Sequence, residues 1–500
     1  MFNVALLSSF RKGFTAVLIV LCGIAQAQQA SQIYVASAMA DITPKLPVAL
    51  MGQFNLRVAE KIETPLKAGI VVIEAKNGNQ AVDTAIFVSS DLVMVPTILK
   101  NELRAEVMKR IPGFNGNKII VSATHTHTAP VLEDDEKDVS FLYPIPPHVP
   151  KVKTYRDLFV KNVADAIVKA WKSRARGSMT WGQNRAAVPY NRRTVYKDGT
   201  TVMYGKTDRS DFQNLEGYED HDVNTLFFWD AAGKPIAVSV DVACPAQEVE
   251  HRYAVNADYW HPVREALQKK FGPQLSVLGW IGAAGDQSPH IMYRKSGEAR
   301  MLKLAGKTRM DDIAERIVRA TVESYEVVKN DRHKDIVFSH KTEKLQLPER
   351  IITQAEYDES KKVSDDCRAQ IAADPKKAAD LYAKQTWFAD VLKRFDAQKG
   401  KMNPMYESEI HVLRIGDVAV CTNQFELFTD YGIRIQARSK ALQTFVIQLT
   451  GPGTYLPTAK AVAGGGYSAV CQSSAVAAEG GQVLVDRTVE LINGFWPQIN

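Results

Sequence analysis

The segment Lys118–Thr128, with the sequence KIIVSATHTHT, joins a run of β-branched residues to two histidines. A continuous apolar run of this kind is typical of a strand that is covered on both faces, and the polar residues after it indicate that the strand ends there. His125 and His127 point to the same side if the backbone stays extended, whereas a turn would splay them apart. Both can then reach one pocket, one as a metal ligand and the other as a substrate contact, although this spacing also occurs by chance.

Similar strand-like segments recur along the chain. They are Ile33–Ile42, Ala68–Ala75, Ala81–Ser89, Lys118–Ala123, Asn224–Trp229, Ile236–Val242, Leu275–Ile281, Ile336–Leu345, Ile410–Val420 and Thr444–Leu449. Amphipathic helical patterns lie between them, at Leu158–Trp171, Val263–Phe271 and Ile313–Ala320. This alternation predicts an α/β fold: a large single catalytic domain over residues 28–500, with a mixed β-sheet flanked by helices.

Two segments interrupt the pattern. Leu142–Val152 contains four prolines and predicts a rigid loop near the histidines. Residues 353–401 are rich in charge, begin with the capping-box pattern Thr353-x-x-Glu356, and are divided by Pro375. We therefore predict a helical hairpin inserted at about 353–401. Packing against the body of the domain is the simpler role for it, and a lid over the site is the alternative.

The composition is that of a folded globular protein. Of the 500 residues, 45% are hydrophobic and 24% are charged, and the mean hydropathy is −0.19. These values exclude a mostly disordered chain, a collagen-like repeat and a polytopic membrane protein. The formal net charge is only +6 and the basic residues are scattered, so we expect no nucleic-acid partner.

The N-terminal residues 1–27 have the pattern of a cleavable signal peptide. A basic flank at Arg11 precedes the apolar run Phe14–Gly23, and Ala25–Ala27 supplies the small residues that precede a cleavage site. We expect an exported protein, periplasmic or secreted, whose mature chain begins at Gln28. An uncleaved N-terminal anchor is the alternative.

A second segment at a strand end, Gly282–His290, has the sequence GAAGDQSPH. Small residues let backbone N–H groups converge on an anion, and Ser288 follows in the same turn, which suits a nucleophile beside an oxyanion site. The segment is not GxSxG, so it is not the nucleophile elbow of an α/β-hydrolase. A glycine-rich connection without a catalytic role is the alternative.

Four more residues are candidates because of where they fall. Cys244 follows a predicted strand and is either a metal ligand, a reactive thiol or a buried small side chain; the five cysteines contain no CxxC pair. Glu426 lies among apolar residues and needs a cation or a metal if it is buried, the alternative being an exposed acid at the start of a helix. Tyr455 and Tyr467 lie in glycine-rich loops, where simple packing is the alternative.

Taken in order, these segments resemble the neutral (alkaline, non-lysosomal) ceramidase family over its catalytic N-terminal domain, from about Ala40 to Tyr467. The resemblance is carried by Ala40–Thr43 with Met51-Gly52, by Ala123–His127 for the THTHS-type motif, by Gly285–Pro289 for the GDxSP motif, by Phe425–Phe428 for the EFT-type segment, and by Tyr455 and Tyr467. On these motifs the chain is identified as a divergent member that lacks the C-terminal domain.

The resemblance implies a zinc site. Its implied ligands are His125, Cys244, Glu426 and Tyr455. The family has a histidine at the position of Cys244, and a thiolate is also a good zinc ligand, so the replacement is chemically sound. If Cys244 instead faces the apolar core, His251 is the first alternative ligand and His261 the second.

The resemblance also implies a zinc-dependent hydrolase of an amide bond, in a lipid like N-acyl sphingosine, or of an ester. It makes Ser288 the nucleophile, His127 a catalytic or substrate-contacting residue, and Tyr467 a substrate or transition-state contact. The family's oxyanion-stabilising arginine corresponds to Arg185, with Arg192 as the competing assignment. In an alternative mechanism a metal-activated water attacks directly and Ser288 only orients the substrate.

The chain departs from the family at Cys244, at Gly464–Gly466 and in the expected lack of the C-terminal domain. The first and the last of these departures leave a different hydrolase open, and a non-enzymatic function is a further alternative. One is a glycan-active or other hydrolase on the same scaffold, and the other is a degenerate binding protein without catalysis. A lipid substrate would in addition bring the protein into transient contact with a membrane surface.

Overall fold

The computed structural model describes residues 29–132 and 145–496. The predicted signal peptide, residues 1–27, and the first part of the proline-rich segment, residues 142–144, lie outside the described residues. Strands and helices alternate along the rest of the chain, which confirms the predicted α/β class with mixed sheets and flanking helices. The strands divide, however, into three main sheets instead of one.

The first sheet is built on the N-terminal strands. Its strands lie in the spatial order Asp335–Ile336, Ser31–Asp41, Lys67–Asn77, Gln80–Ser90 and Ile119–Ala123, with Ala175–Arg176 also paired to the second of these. Only Gln80–Ser90 and Ile119–Ala123 run parallel to each other. The predicted continuous apolar strand that ends at Ala123 is therefore present, and all five of its residues are buried.

The second and third sheets share this mixed design. The second has the order Ser276–Ile281, Pro235–Val242, Asp222–Trp229 and Ser178–Arg185, and the third has the order Phe338–Pro348, Met405–Ile415, Val418–Thr422 and Gln443–Ile447. Each contains one parallel pair. The ring of Trp280 in the second sheet lies 5.2 Å from that of Phe87 in the first and 5.8 Å from that of Phe445 in the third, centroid to centroid. One apolar core thus joins the three sheets.

Several short strands add local pairs at the ends of these sheets. They are Val48–Leu50 with Arg57–Ala59, Tyr190–Asn191 with Gln287–Ser288, Glu426–Leu427 with Tyr455–Leu456, and Arg193–Tyr196 with both Thr201–Met203 and Phe212–Leu215. Because the first three of these pairs carry candidate site residues or lie next to them, they fix the loops of the site to one another.

The helices cover the outer faces of the sheets. They are α1 (Thr97–Arg110), α2 (Val152–Ser173), α3 (Trp260–Phe271), α4 (Lys295–Ala305), α5 (Arg309–Val328), α6 (Gln354–Ala373), α7 (Ala378–Gln398), α8 (Thr429–Arg438), α9 (Ala459–Gly464) and α10 (Ala478–Asn493). Helix α2 packs on the first sheet, α5 on the second and α10 on the third. The three helices expected from the sequence are α2, α3 and α5. None of the described helices is long and apolar enough to cross a membrane.

The predicted helical hairpin is formed by α6 and α7, joined by a short 3-10 turn at Pro375–Lys377. Thr353 caps α6 as expected: its side chain accepts a hydrogen bond from the N–H of Glu356, and the Glu356 carboxylate accepts one from the Thr353 N–H. The hairpin is fixed to the body through Arg394, which donates to the carbonyls of Cys471 and Ser474. It therefore packs on the segment that leads away from Tyr467.

Candidate active site

The candidate residues lie on loops that follow the parallel strands. These loops bond directly to one another: the N–H of Ala246 donates to the Thr124 carbonyl at 3.1 Å, and that of Gly285 donates to the Leu427 carbonyl at 2.8 Å. A buried ion pair stabilises the first of these loops: Arg264 of α3 donates to both carboxylate oxygens of Asp91. One of these oxygens also accepts a hydrogen bond from the Thr124 hydroxyl. The fold thus brings four separate strand ends together.

His125 is buried and adopts a left-handed backbone conformation, with φ of 64°. Its Nδ1 lies 2.6 Å from the Val93 carbonyl, so Nδ1 carries a proton, and Nε2 faces inward. This Nε2 lies 3.3 Å from Nε2 of His127 and 3.4 Å from Oε2 of Glu426. The two histidines therefore converge on one pocket, but not for the predicted reason: the backbone is not extended here, and it is the left-handed conformation of His125, followed by a turn at His127, that brings the rings together.

Glu426 is the buried acid of the site, and it has the partners that its burial requires. Burial raises the pKa of this carboxyl, but the nearby His125 ring and the Arg192 guanidinium, with a hydrogen bond from Tyr455, hold the pKa below its ordinary value. Glu426 and Tyr455 are opposite each other in a short parallel strand pair. The carboxylate is thus ionised at neutral pH and faces an imidazole nitrogen and a phenol oxygen.

Arg192 joins the two halves of the site. One terminal nitrogen donates to the hydroxyl of Tyr455 at 3.1 Å and to the carbonyl of Gly285 at 2.9 Å. The other donates to the hydroxyl of Tyr204 and to Oε1 of Gln247, both at 3.3 Å. Because the guanidinium is 2% exposed, this charge is shielded from water and acts strongly on its neighbours.

Ser288 lies on the far side of Arg192 and is fully buried in the short pair with Tyr190–Asn191. Its Oγ accepts hydrogen bonds from the Tyr204 hydroxyl and from the His290 N–H, both at 3.0 Å. A continuous polar path therefore runs from the Ser288 hydroxyl through Tyr204 and Arg192 to the Tyr455 hydroxyl beside Glu426.

His127 is held by partners that fix its ring. Its Nε2 lies 2.7 Å from the Gln247 amide nitrogen, and its Nδ1 lies 3.3 Å from Oε2 of Glu250. Burial lowers the pKa of His127 to about 4 despite the neighbouring Glu250, so the ring is neutral at pH 7. The loop below it passes so close that a Cβ on Gly52, whose φ is +106°, would lie 2.5 Å from the ring.

Two of the predicted roles do not fit the positions of their side chains. The Arg185 side chain is 83% exposed and pairs with Asp222 at the surface, so the alternative, Arg192, is the arginine in the site. Cys244 belongs to the apolar core beneath the site, where its thiol donates to the Pro245 carbonyl at 3.7 Å. Burial raises the pKa of that thiol well above its ordinary value, which opposes the thiolate that a metal requires.

Neither alternative histidine takes the place of Cys244. The His251 side chain is 79% exposed and lies beside Glu250, and His261 at the start of α3 lies 3.4 Å from Glu265. Tyr467 lies at the edge of the site, with its ring 5.7 Å from the ring of Tyr455. It approaches the centre through this aromatic contact.

Four residues of the site were missed in the sequence: Tyr204, Gln247, Glu250 and His290. Tyr204 lies in a loop without a periodic pattern, and nothing in its local sequence distinguishes it. His290 ends the segment Gly282–His290 that the sequence singles out, but no role was assigned to it there. A signal for the other two did exist, because Gln247 and Glu250 follow the same strand end as Cys244. The side chain that reaches the pocket is three residues further along than expected.

The residues that could hold a metal are His125, Glu426 and Tyr455. Among residues 29–132 and 145–496, no group of three or more His, Cys, Asp or Glu side chains is placed to hold a metal ion. Tyr455 would be the third donor. Burial raises the pKa of its phenol well above the ordinary value, as it does for the Cys244 thiol, so a metal would have to displace the phenol proton. Unlike the thiol, the Tyr455 hydroxyl lies in the site beside Glu426 and Arg192, and the imidazole nitrogen and the carboxylate are common zinc donors. Three protein ligands with one open position are typical of a catalytic zinc site, so these residues fit the implied metal.

A cavity of about 420 Å³ adjoins the site beyond Tyr204 and His290. Glu248 lines it, and burial, reinforced by Asp258, raises the pKa of this carboxyl from 4.5 to about 8. The folded protein therefore keeps a proton on Glu248 over a pH range in which the unfolded chain has lost it.

This difference predicts a pH-dependent stability. Because the folded state binds the extra proton, the contribution of Glu248 to the free energy of unfolding should fall by about 2 kcal/mol between pH 5.5 and 7.5. Buried histidines whose pKa is lowered, such as His127 and His290, act in the opposite direction, so the contribution is measured as the difference between the wild type and Glu248→Gln. The free energy of unfolding of Glu248→Gln should rise more steeply, or fall less, over this range than that of the wild type, whereas Glu359→Gln, at an exposed position of α6, should follow the wild type. Urea denaturation at several pH values measures the slope, and equal slopes in all three proteins would contradict the assignment.

The fold places the chain in a defined structural class, that of the neutral ceramidase fold. No protein-family model and no curated protein matches the sequence. Among solved structures, the neutral ceramidase from Pseudomonas aeruginosa is similar with a TM-score of 0.65 at 14% identity, over 93% of this chain and 75% of that one. A ceramidase complexed with C2 is similar with a TM-score of 0.63 at 13% identity, over 92% and 75% of the two chains. The resemblance inferred from the motifs is thus confirmed at the level of the fold.

Proposed function

We propose that this protein is an exported, zinc-dependent hydrolase that cleaves the amide bond of an N-acyl lipid. The observation that supports it best is the buried polar path from Ser288 through Tyr204 and Arg192 to Tyr455 and Glu426. This path joins a hydroxyl nucleophile, a fixed positive charge and a set of metal donors in one site. The similarity to ceramidase structures favours an amide substrate over an ester or a glycan.

In this proposal His125, Glu426 and Tyr455 hold the zinc. When bound, the metal supplies a Lewis acid that polarises the carbonyl of the substrate. The protein contributes the rest of the environment: a fixed tautomer of His125, an ionised Glu426, and a site from which water is largely excluded. A group that hydrogen-bonds to a metal ligand, as the Val93 carbonyl does to His125, orients that ligand and tunes its basicity.

The remaining residues take the catalytic roles. Ser288 attacks the carbonyl carbon, and the Arg192 guanidinium stabilises the negative charge that develops on the oxygen. As the bond between Ser288 Oγ and the acyl carbon forms and the C–N bond breaks, the proton of the serine hydroxyl has to reach the leaving amine, and we assign this transfer to the neutral His127. Glu250 and Gln247 hold the ring in position for this transfer. Water then attacks the acyl ester, which releases the fatty acid and restores the Ser288 hydroxyl.

The test combines metal content with a substrate panel. Protein purified without chelator should contain close to one zinc per chain, measured by mass spectrometry of the metal. It should release fatty acid from N-acyl amides of different head groups, and a matched set of oligosaccharides should give no turnover. Metal-free protein without turnover on any N-acyl amide, before or after zinc is added, would reject the proposal.

The same protein allows a direct test of Cys244. Since its thiol is part of the apolar core, we expect Cys244→Ala to keep its zinc and to lose only about 1 kcal/mol of unfolding free energy from the small cavity. Glu426→Gln should lose most of the zinc. Metal analysis and urea denaturation of the two variants measure this, and a loss of zinc from Cys244→Ala at intact fold would restore the thiol as a ligand.

A further inference from the structure

The helical hairpin carries an aromatic residue to the edge of the candidate site. Trp387 lies in the middle of α7, and its ring is 5.5 Å from that of Tyr467 and 5.2 Å from that of Phe54. Tyr467 in turn contacts the ring of Tyr455, whose hydroxyl binds Arg192. A line of aromatic rings thus leads from the hairpin to the polar centre of the site.

Phe54 completes this group of rings, because its ring lies 5.8 Å from that of Tyr467 as well as close to that of Trp387. It lies two residues after Gly52, whose backbone packs against the His127 ring, and the loop is bonded to the hairpin by the Leu56 N–H and the Ala379 carbonyl at 2.8 Å. Trp387 therefore contacts one residue from the side of His127 and one from the side of Tyr455. All three rings, of Phe54, Trp387 and Tyr467, are only half-buried.

The hairpin is attached firmly enough to act as a fixed wall. Val391 and Phe395 of α7 pack with Ile352 and Cys471 in a small apolar cluster. The segment that receives the hairpin also holds the site, because the N–H of Tyr455 donates to the Ser473 carbonyl at 3.0 Å. A change in the position of Trp387 would thus also move Tyr467 and Tyr455, with which it is in contact directly or through one ring.

From this arrangement we propose that Trp387 is a specificity-determining residue, against which an apolar alkyl chain of the amide substrate packs as it enters the site. The inference rests on the proposed function and adds the substrate feature that the hairpin selects. A half-buried indole beside two other rings offers apolar area, and each methylene of a chain that covers it adds to the binding free energy. A short-chain amide would not reach this surface.

The test uses single-chain amides, in which one side of the bond varies at a time. One series is N-methyl alkanamides with acyl chains of two to twelve carbons, and the other is N-alkyl acetamides with amine chains of the same lengths. We expect Trp387→Ala to lower kcat/KM for the longest chain of one series about tenfold, with less than a twofold change for the shortest amide. Trp387→Phe should give an intermediate loss.

Tyr382→Ala is the matched control, because it removes a half-buried ring of the same helix that lies outside the cluster fixing the hairpin and about 140° around the helix from Trp387. It should leave the dependence on chain length unchanged. An equal fall for short and long chains in Trp387→Ala, or no change in either series, would overturn the inference.

Measurements of substrate affinity test the contact with Trp387 separately from the proposed hydrolase activity. Affinities of both series for the Ser288→Ala protein, measured by calorimetry with and without the Trp387→Ala change, report the alkyl contact without turnover. A wild-type protein that hydrolyses nothing but loses long-chain affinity with Trp387→Ala would reject the hydrolase and support the contact. If the wild-type protein hydrolyses the amides but Trp387→Ala leaves their affinities unchanged, the hydrolase is supported and the contact with Trp387 is rejected.

Discussion

Ser288→Ala should reduce amide hydrolysis about a thousandfold or more, which is the size of effect seen when a covalent nucleophile is removed. The serine is fully buried, and its Oγ accepts from Tyr204 and from the His290 N–H. Loss of this acceptor should cost about 1–2 kcal/mol of unfolding free energy, so the protein should still fold. Steady-state kinetics with an N-acyl amide, together with metal analysis, measure the result.

The size of the loss distinguishes the two mechanisms. A fall of only about tenfold with full zinc content would favour direct attack by water, with Ser288 as an orienting residue. Activity like that of the wild type would end the covalent scheme. Ser324→Ala is a suitable control, because Ser324 is also buried and hydrogen-bonded, but to Thr225 and outside the site.

Arg192→Met should have the second largest effect. The guanidinium binds the Tyr455 and Tyr204 hydroxyls and the Gly285 carbonyl from a buried position. Its removal takes away the fixed charge opposite the developing oxyanion, for which we expect a loss in kcat of about 100- to 1000-fold. It also leaves buried acceptors without a donor, at a cost of about 3 kcal/mol of unfolding free energy.

Two variants keep this prediction testable. Arg192→Lys retains the charge but not the forked donors, so it should fold better and recover only part of the rate. Arg185→Met removes the exposed arginine that was first assigned from the sequence and should change neither rate nor stability. If Arg185→Met were the inactive protein and Arg192→Met an active one, the assignment of the oxyanion arginine would be reversed.

The strand ends could be predicted from the sequence because the signal for each one lies in a few consecutive residues. An apolar run that stops at a polar residue is visible without knowledge of the rest of the fold, and His125, Ser288 and Glu426 all follow such runs. Their convergence then follows from the parallel pairing of the strands. The capping box at Thr353 was visible for the same reason, since its two partners are three residues apart.

The errors arose where the direction of a side chain depends on distant pairing. Arg185 and Arg192 both follow an asparagine, and only the pairing of Tyr190–Asn191 with Gln287–Ser288 brings the second arginine to the site. At Cys244 the chain turns sharply, with its N–H bonded to the Val242 carbonyl at 2.8 Å. That turn directs the thiol into the core and lets Gln247 reach His127. The turn could not be predicted from the residues around Cys244.

The two strands that flank the helical hairpin are partners in the third sheet. Pro348 at the end of one lies directly opposite Met405 at the start of the other, so the chain leaves the sheet and returns to it at almost the same place. In an antiparallel pair such residues are about 5 Å apart, a gap that a tight turn closes as well as two helices do. Residues 349–404 can therefore be shortened, lengthened or replaced without a change in the register of the third sheet, provided that the new segment still supports residues 469–474, whose carbonyl groups Arg350 and Arg394 bind.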